Sequence, residues 1–278
     1  MAPDPGLFTP DTVTWRIHAD PSMSVGGFRS LYLQALHPLA MAGVDQHSDY
    51  RTDPWGRLQR TGQWVGLTTY GTMAEIEPAA ARLRRIHASV RGVDETTGLP
   101  YSADDPGLLL WVHCGMVESF LSTYRRCGGP LAAGEGDRYV AEMVRVAPLV
   151  GLDPALVPDS EAALAASFDE VRPQLRMTPA ARTAQRFSLA PPMPLWTQLA
   201  TPARPAWVGL MSLAFAMLPR WARAMYSPFG LPLVVLPGQE LATTAAGRAL
   251  RKTLLALPQD RLEGPHLKAA KARLDTAA

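Results

Sequence analysis

The amino-acid sequence predicts an all-α protein. Apolar residues recur at intervals of three and four through most of the chain, whereas the alternating pattern of strands is nearly absent. The one strand-like run is residues 233–236. The 278 residues are 47% hydrophobic and 19% charged, which is typical of a globular protein that buries a sizeable core. We therefore expect a single helical domain over residues 1–278.

Start and stop signals place the helices of the first half. Pro38 is expected to bend the first helix, Gly92 to occupy the C′ position of the third, and Asp105 to cap the fourth. The predicted helices are 28–44, 57–73, 75–91 and 106–126.

The second half is also predicted to be helical, but it carries fewer motifs. A proline-rich loop is expected at residues 189–204. The apolar run 206–218 is shorter than the ~20 residues of a membrane span, so a buried helix is favoured over peripheral contact with a membrane. The predicted helices are 137–150, 160–175, 179–187, 205–226 and 239–257, followed by a polar tail helix over 264–278.

Charge and cysteine content limit the class of protein. The 27 basic and 25 acidic residues give no reason to expect nucleic acid as a partner. Cys114 and Cys127 fall in one predicted helix, about 20 Å apart, beyond the reach of a disulfide. Residues 1–10 lack the basic and apolar runs of a secretory signal. A cytoplasmic location is therefore expected, and the oligomeric state is left open.

His87 is the first candidate for chemistry. It lies on the apolar stripe of predicted helix 75–91, and Arg84 and Arg91 flank it on neighbouring turns. A neutral imidazole can bind a haem iron, and arginines pair well with carboxylates such as haem propionates. A single histidine on an apolar face is more often a structural residue, so both interpretations stay open.

A second candidate face lies on predicted helix 57–73. Helical spacing brings Arg57, Arg60, Thr61 and Trp64 to one side of this helix. Cations and a hydroxyl facing a cavity can stabilise charge that develops on oxygen. The alternative is a solvated basic face.

Three further histidines are weaker candidates. His113 lies on an apolar stripe, where a structural or propionate-side hydrogen bond is favoured over iron ligation. His37 and His47 are each expected either to line a pocket or to cap a turn. The sequence contains no P-loop, dinucleotide fingerprint, nucleophile elbow, Cys-x-x-Cys or His-Glu-x-x-His motif, which argues against the common nucleotide, hydrolase and zinc sites.

Several of these residues lie in stretches that together resemble a known family. The stretches are residues 36–44, 47–50, the run Asp53-Pro54-Trp55-Gly56-Arg57-Leu58-Gln59-Arg60-Thr61, the run His87-Ala88-Ser89-Val90-Arg91-Gly92, and 101–113. They resemble latex-clearing-protein rubber oxygenases and fungal MpaB-type oxygenases, a family once catalogued as a domain of unknown function. The motifs occupy about residues 27–125, and the rest of the chain matches only a general helical pattern.

The resemblance implies an all-α fold with a globin-like core that encloses a b-type haem. His87 matches the proximal iron ligand, and Arg57 and Thr61 match an arginine and a threonine near the haem. Arg60 stands where rubber oxygenases have a lysine that can close over the iron. Because arginine stays protonated, it is a poor iron ligand and that closure is not expected here.

The leading functional hypothesis is a haem b-dependent oxygenase or oxidase. It would act with dioxygen on a small, largely apolar intracellular substrate, and oxidative cleavage of a carbon–carbon double bond is the reaction that the resemblance implies. The first alternative is a non-catalytic haem-binding sensor or carrier. The second is a haem-free helical protein that uses residues 206–218 to bind a membrane or a partner.

Overall fold

The computed structural model describes residues 4, 6–194, 201–227 and 238–277, and it confirms the all-α class. The strand-like run 233–236 lies outside the described residues. In chain order the helices are α1 (Val13–His18), α2 (Met23–Gln34), α3 (Pro38–His47), α4 (Pro54–Tyr70), α5 (Met73–Ser89), α6 (Pro106–Arg126), α7 (Glu135–Met143), α8 (Ala147–Val150), α9 (Glu161–Val171), α10 (Pro179–Leu189), α11 (Ala203–Ala216), α12 (Arg220–Met225), α13 (Gln239–Leu255), α14 (Gln259–Leu262) and α15 (Pro265–Ala277).

Side-chain caps begin the three helices that position the candidate site. The Asp53 carboxylate accepts a hydrogen bond from the Gly56 amide at the start of α4. Thr72 and Glu75 form a reciprocal capping box on α5. Asp105 accepts from the Leu108 amide at 3.1 Å, so its predicted role as the N-cap of α6 is confirmed.

The predicted helix 28–44 is wrong, because the chain forms two helices there. α2 ends at Gln34, and α3 begins at Pro38 with His37 as its N-cap. Proline has no N–H to continue a helix and disfavours helical backbone in the residue before it. His37 accordingly has an extended backbone, with φ −82° and ψ 116°. Pro38 therefore starts a helix instead of bending one.

Gly92 does not occupy the predicted C′ position of α5, because α5 ends at Ser89 and Gly92 lies in a strand that follows it. β1 (Arg91–Val93) pairs with β2 (Pro100–Ser102) in an antiparallel hairpin, in which Gly92 lies opposite Tyr101. A Cβ at Gly92 would lie 2.5 Å from the Tyr101 hydroxyl. The glycine is thus explained by close packing of the hairpin.

Two predicted helices of the second half are interrupted. Residues 137–150 divide into α7, a 3₁₀ turn over Val144–Val146, and α8, because Pro148 cannot donate the hydrogen bond of a continuous helix. Residues 205–226 divide into α11 and α12 on either side of Pro219. The predictions 160–175, 179–187 and 239–257 correspond to α9, α10 and α13 with small differences at their ends.

The hydrophobic core is centred on the packing of α2 against α6. Helices α1, α7 and α9 also pack on α6, and α11 packs on α2. The largest buried side chains include Trp111, Tyr124 and Tyr139. Full burial of one large apolar side chain stabilises a fold by about 1.5–3 kcal/mol, so this core holds α6 firmly in place. Among the described helices, none is both long and apolar enough to cross a bilayer.

His18 joins three helices inside this core. Its Nδ1 lies 2.7 Å from the Thr69 hydroxyl of α4, and its Nε2 lies 3.0 Å from the Tyr139 hydroxyl of α7. The Thr69 hydroxyl donates to the Val65 carbonyl, so it accepts from Nδ1–H, and Nε2 accepts from Tyr139. This arrangement requires the neutral ring.

The tail helix α15 packs on the outer side of α4. Leu267 and Ala270 are buried in one apolar cluster with Tyr70, and the Arg273 guanidinium donates to the Tyr70 carbonyl at 2.5 Å. The His266 ring lies against Gly66, where a Cβ would approach it to 3.2 Å. The predicted tail helix is therefore present, and it is attached to the helix that carries Arg57 and Thr61.

Candidate active site

His87 lies in the last turn of α5, on the stripe predicted from the sequence. The first positions of that stripe, Ile76 and Ala80, are fully buried, whereas Leu83, His87 and Val90 are half-buried. The stripe is thus buried in the core at its N-terminal end and half-buried at its C-terminal end, where His87 lies.

The imidazole of His87 has no hydrogen-bond partner among the described residues, and its Nδ1 is fully buried. Burial lowers the pKa of His87, and the nearby charge of Arg57 lowers it further, while the carboxylate of Asp104 acts in the opposite direction. The ring is therefore neutral at pH 7. Buried polar nitrogens are almost always paired in proteins, so a free neutral imidazole is available to bind a ligand.

Arg57 and Thr61 form a pair on α4. The Arg57 Nη1 donates to the Thr61 hydroxyl at 2.7 Å, and the Arg57 Nε donates to the Ser48 hydroxyl at 3.2 Å. Burial is the main cause that lowers the pKa of Arg57, and the charge of Arg60 adds to it. The guanidinium is therefore poorly hydrated, which strengthens any hydrogen bond that it donates.

The Arg60 guanidinium binds acidic residues, whereas Arg57 and Thr61 bind each other. The guanidinium of Arg60 binds the Asp49 carboxylate at 2.5 and 2.7 Å and the Asp53 carboxylate at 3.2 Å, and half of its side chain is exposed. These contacts hold it on the loop before α4, away from the Thr61 hydroxyl. A catalytic role for Arg60 stays a prediction.

The two arginines that flank His87 already have protein partners. The Arg84 Nη1 donates to the Leu149 carbonyl at 3.1 Å, at the end of α8. The Arg91 Nε donates to the Ala88 carbonyl at 3.1 Å, and its Nη2 lies 3.3 Å from Asp104. The role predicted for both, pairing with propionates, would use their remaining donors and stays a prediction.

His113 and Trp64 differ in their burial. His113 is buried on α6 without a hydrogen bond to any residue that the structure describes, and burial lowers its pKa to about 4. It is therefore a second neutral imidazole. Trp64 is half-buried on α4 and packs against the main core.

His37 and His47 both have structural partners. His37 caps α3, where its Nδ1 accepts from the Ala40 amide at 3.5 Å. The exposed His47 has its Nε2 3.2 Å from the Arg91 carbonyl and 3.1 Å from the Tyr101 hydroxyl. His37 thus acts as a helix cap, whereas the contacts of His47 join the end of α3 to the β1–β2 hairpin, and a place in a pocket stays a prediction for both.

Ser48 is a site residue that the sequence analysis did not single out. It follows His47 directly, and each of the two residues contacts a different segment of the chain. His47 contacts the strand that follows His87, whereas Ser48 accepts from Arg57. Ser48 lies in a stretch of the family resemblance, and that position was the signal that could have identified it.

The residues present fit a b-type haem on the observations above. A haem iron needs one or two axial ligands from the protein, and His87 offers an imidazole nitrogen without a competing partner. The poorly hydrated Arg57 provides a cation nearby. Both residues are half-buried.

Comparison with known proteins gives one match. The family model described as "ER-bound oxygenase mpaB/B'/Rubber oxygenase, catalytic domain" matches residues 15–252, which extend from α1 into α13. No curated protein matches the chain, and no solved structure does. Because the match spans most of the chain and includes every candidate residue, the protein belongs to the family of mpaB and rubber oxygenase catalytic domains.

Proposed function

We propose that this protein is a haem b-dependent oxygenase or oxidase that acts with dioxygen on a small, largely apolar molecule. The family is one of oxygenase catalytic domains, which supports the general class of reaction. The observation that carries the haem proposal is the unpartnered imidazole of His87 beside the Arg57–Thr61 pair. Oxidative cleavage of a carbon–carbon double bond is the reaction we propose.

His87 is the residue that would hold the haem iron. It is neutral at pH 7, so a ring nitrogen has a free electron pair for the metal. When bound, the haem supplies the iron and the redox chemistry with dioxygen. Arg84 and Arg91 are proposed to pair with the propionates, through the donors that they do not use on Leu149, Ala88 and Asp104.

Arg57 and Thr61 are proposed to orient the oxygen-containing reactant. Arg57 uses Nη1 and Nε within the protein, and its Nη2 has no hydrogen bond to a described residue. This nitrogen is the proposed donor to an oxygen atom of the ligand. Thr61 fixes the direction of the guanidinium by accepting from Nη1, so it is a positioning residue for Arg57.

The part of α4 that follows Thr61 is uncharged, which favours an apolar substrate. From Thr61 to Tyr70 the helix contains no charged residue, and Trp64 and Val65 are half-buried apolar side chains. Charged substrates would lose hydration there without gaining a partner. A cytoplasmic location, expected from the two unpaired cysteines, remains part of this proposal.

The haem proposal is tested by reconstitution and visible spectroscopy. Purified protein is titrated with haemin, and we expect one haem per chain and a Soret band. His87→Ala should lose or shift this band, and added imidazole should restore it in His87→Gly. His266→Ala is the matched control, since His266 packs on the outer side of α4 and should leave the spectrum unchanged.

Three outcomes would contradict parts of the proposal. Failure of the wild type to bind haemin in a defined ratio would reject the haem. An unchanged spectrum in His87→Ala, with loss in His113→Ala, would move the ligand to His113. Stable haem binding without consumption of dioxygen over a panel of small unsaturated hydrocarbons would favour the sensor or carrier instead of the enzyme.

A further inference from the structure

A polar cavity whose lining does not include His87 lies where α2, α6 and α13 meet the link between α11 and α12. Its volume is about 350 Å³, which is within the size range of ligand sites. Three arginines, two glutamates and a serine provide its polar lining: Arg29, Arg126, Arg220, Glu118, Glu240 and Ser122. Ser122 lies nine residues after His113 on α6, about 14 Å along the helix axis.

Two of these arginines stabilise the end of α11. The Arg29 Nε and the Arg126 Nη1 both donate to the Met217 carbonyl, at 2.9 and 3.0 Å, just after the end of α11. Arg29 also forms a bidentate ion pair with Glu118. These contacts satisfy the carbonyl groups that a helix leaves free at its end.

Positive charge nevertheless exceeds negative charge around the cavity. The Glu240 carboxylate forms ion pairs with three arginines: Arg126 at 2.9 Å, the buried Arg223, and Arg220 at 3.8 Å. The group therefore contains four arginines against two glutamates. Burial lowers the pKa of Arg126, the charge of Glu240 opposes this, and the charges of Arg29 and Arg223 lower it further. The guanidinium groups thus repel one another without full compensation.

Donors remain free on the cavity side of this cluster. Arg220 is 71% exposed, and its terminal nitrogens form no hydrogen bond to a described residue. The Ser122 hydroxyl has no hydrogen-bond partner among those residues either. An arginine fork and a hydroxyl beside excess positive charge are the groups that recognise phosphate and carboxylate.

We propose that this cavity binds a small anion with a phosphate group, held by Arg220 and Ser122. The Arg29 and Arg126 guanidiniums contribute charge from positions that are fixed by the Met217 carbonyl. The site is independent of the haem proposal, because it shares no residue with the region around His87. The phosphate has two sources, a soluble compound or the headgroup of a lipid, and both present the same chemistry.

Calorimetric titration of the full chain with inorganic phosphate tests the site, with sodium chloride at equal ionic strength as the reference. We expect saturable binding that weakens at least about tenfold in Arg220→Gln and in Ser122→Ala, since a charge-assisted hydrogen bond contributes about 1.5–3 kcal/mol. Arg82→Gln is the matched control, because Arg82 is exposed on α5 and lies outside the cavity. Circular dichroism verifies that each variant is folded.

The proposal is overturned if phosphate does not saturate the wild type, or if Arg220→Gln and Ser122→Ala bind it as the wild type does. Glycerol phosphate and vesicles that contain phosphatidic acid then distinguish the sources. Binding of glycerol phosphate that is lost in Arg220→Gln supports a soluble ligand. Binding of the vesicles alone, with the same loss, supports a lipid headgroup.

Discussion

The half-buried His18 makes the stability of the fold depend on pH. Burial lowers its pKa from 6.5 to about 3. The unfolded chain takes up a proton near pH 6.5, whereas the folded chain does not until about pH 3. The stability that the neutral ring contributes is therefore fully present above pH 6.5 and is lost progressively as the pH falls from 6.5 towards 3.

The loss of folding stability depends on how far the pH falls below 6.5. Each unit below 6.5 costs about 1.36 kcal/mol, so a fall from pH 7 to pH 5 costs about 2 kcal/mol from His18 alone. Burial is the cause of the resistance to protonation, and the bonds to Thr69 and Tyr139 hold the neutral ring in place. A second ring proton would have to displace the hydrogen that Tyr139 donates to Nε2.

Urea unfolding at pH 7 and pH 5, followed by circular dichroism, measures this loss in the wild type and in His18→Gln. The glutamine retains polar contacts but cannot take up a proton in this range. We expect the wild type to lose about 2 kcal/mol more than the variant between the two pH values. His113 titrates in both chains, so its contribution cancels in the difference. Equal losses in the two chains would refute the argument.

Two further predictions concern packing. Gly92→Ala should destabilise the fold by about 1–3 kcal/mol, because its Cβ would meet the Tyr101 hydroxyl, whereas Gly27→Ala, in open space on α2, should stabilise it by about 0.5–1 kcal/mol. Thermal unfolding of both variants checks this, and a neutral Gly92→Ala would show that the hairpin packs less closely. Leu267→Ala should cost about 2 kcal/mol and increase cleavage of the tail in limited proteolysis, whereas Leu274→Ala, at an exposed position, should change stability by less than about 0.5 kcal/mol. Similar behaviour of the two leucine variants would mean that α15 does not contribute to the stability of the fold.

Local signals in the sequence predicted much of the region around the site. Asp105 and Pro106 identify the start of α6 because a capping side chain and a proline act within one turn. The contact between Arg57 and Thr61 follows from their spacing of four residues on one helix. These features depend on neighbours in the chain, so the sequence alone contains the information.

Features that depend on distant segments were not predicted. The hairpin strands have three residues each, too few for an alternating pattern, and Gly92 was assigned to a helix end for that reason. The partner of Arg84 is a carbonyl more than sixty residues further along the chain, at the end of α8. Helical spacing placed Arg60 beside Thr61, but the acidic side chains of the preceding loop hold it elsewhere.

The neighbouring residues His47 and Ser48 have a mechanical consequence. His47 contacts the strand after His87 and Ser48 contacts the Arg57 guanidinium, so one short segment at the end of α3 holds both. A displacement of this segment would act on both contacts at once, so the positions of the Arg57 guanidinium and of the strand after His87 depend on the same two residues.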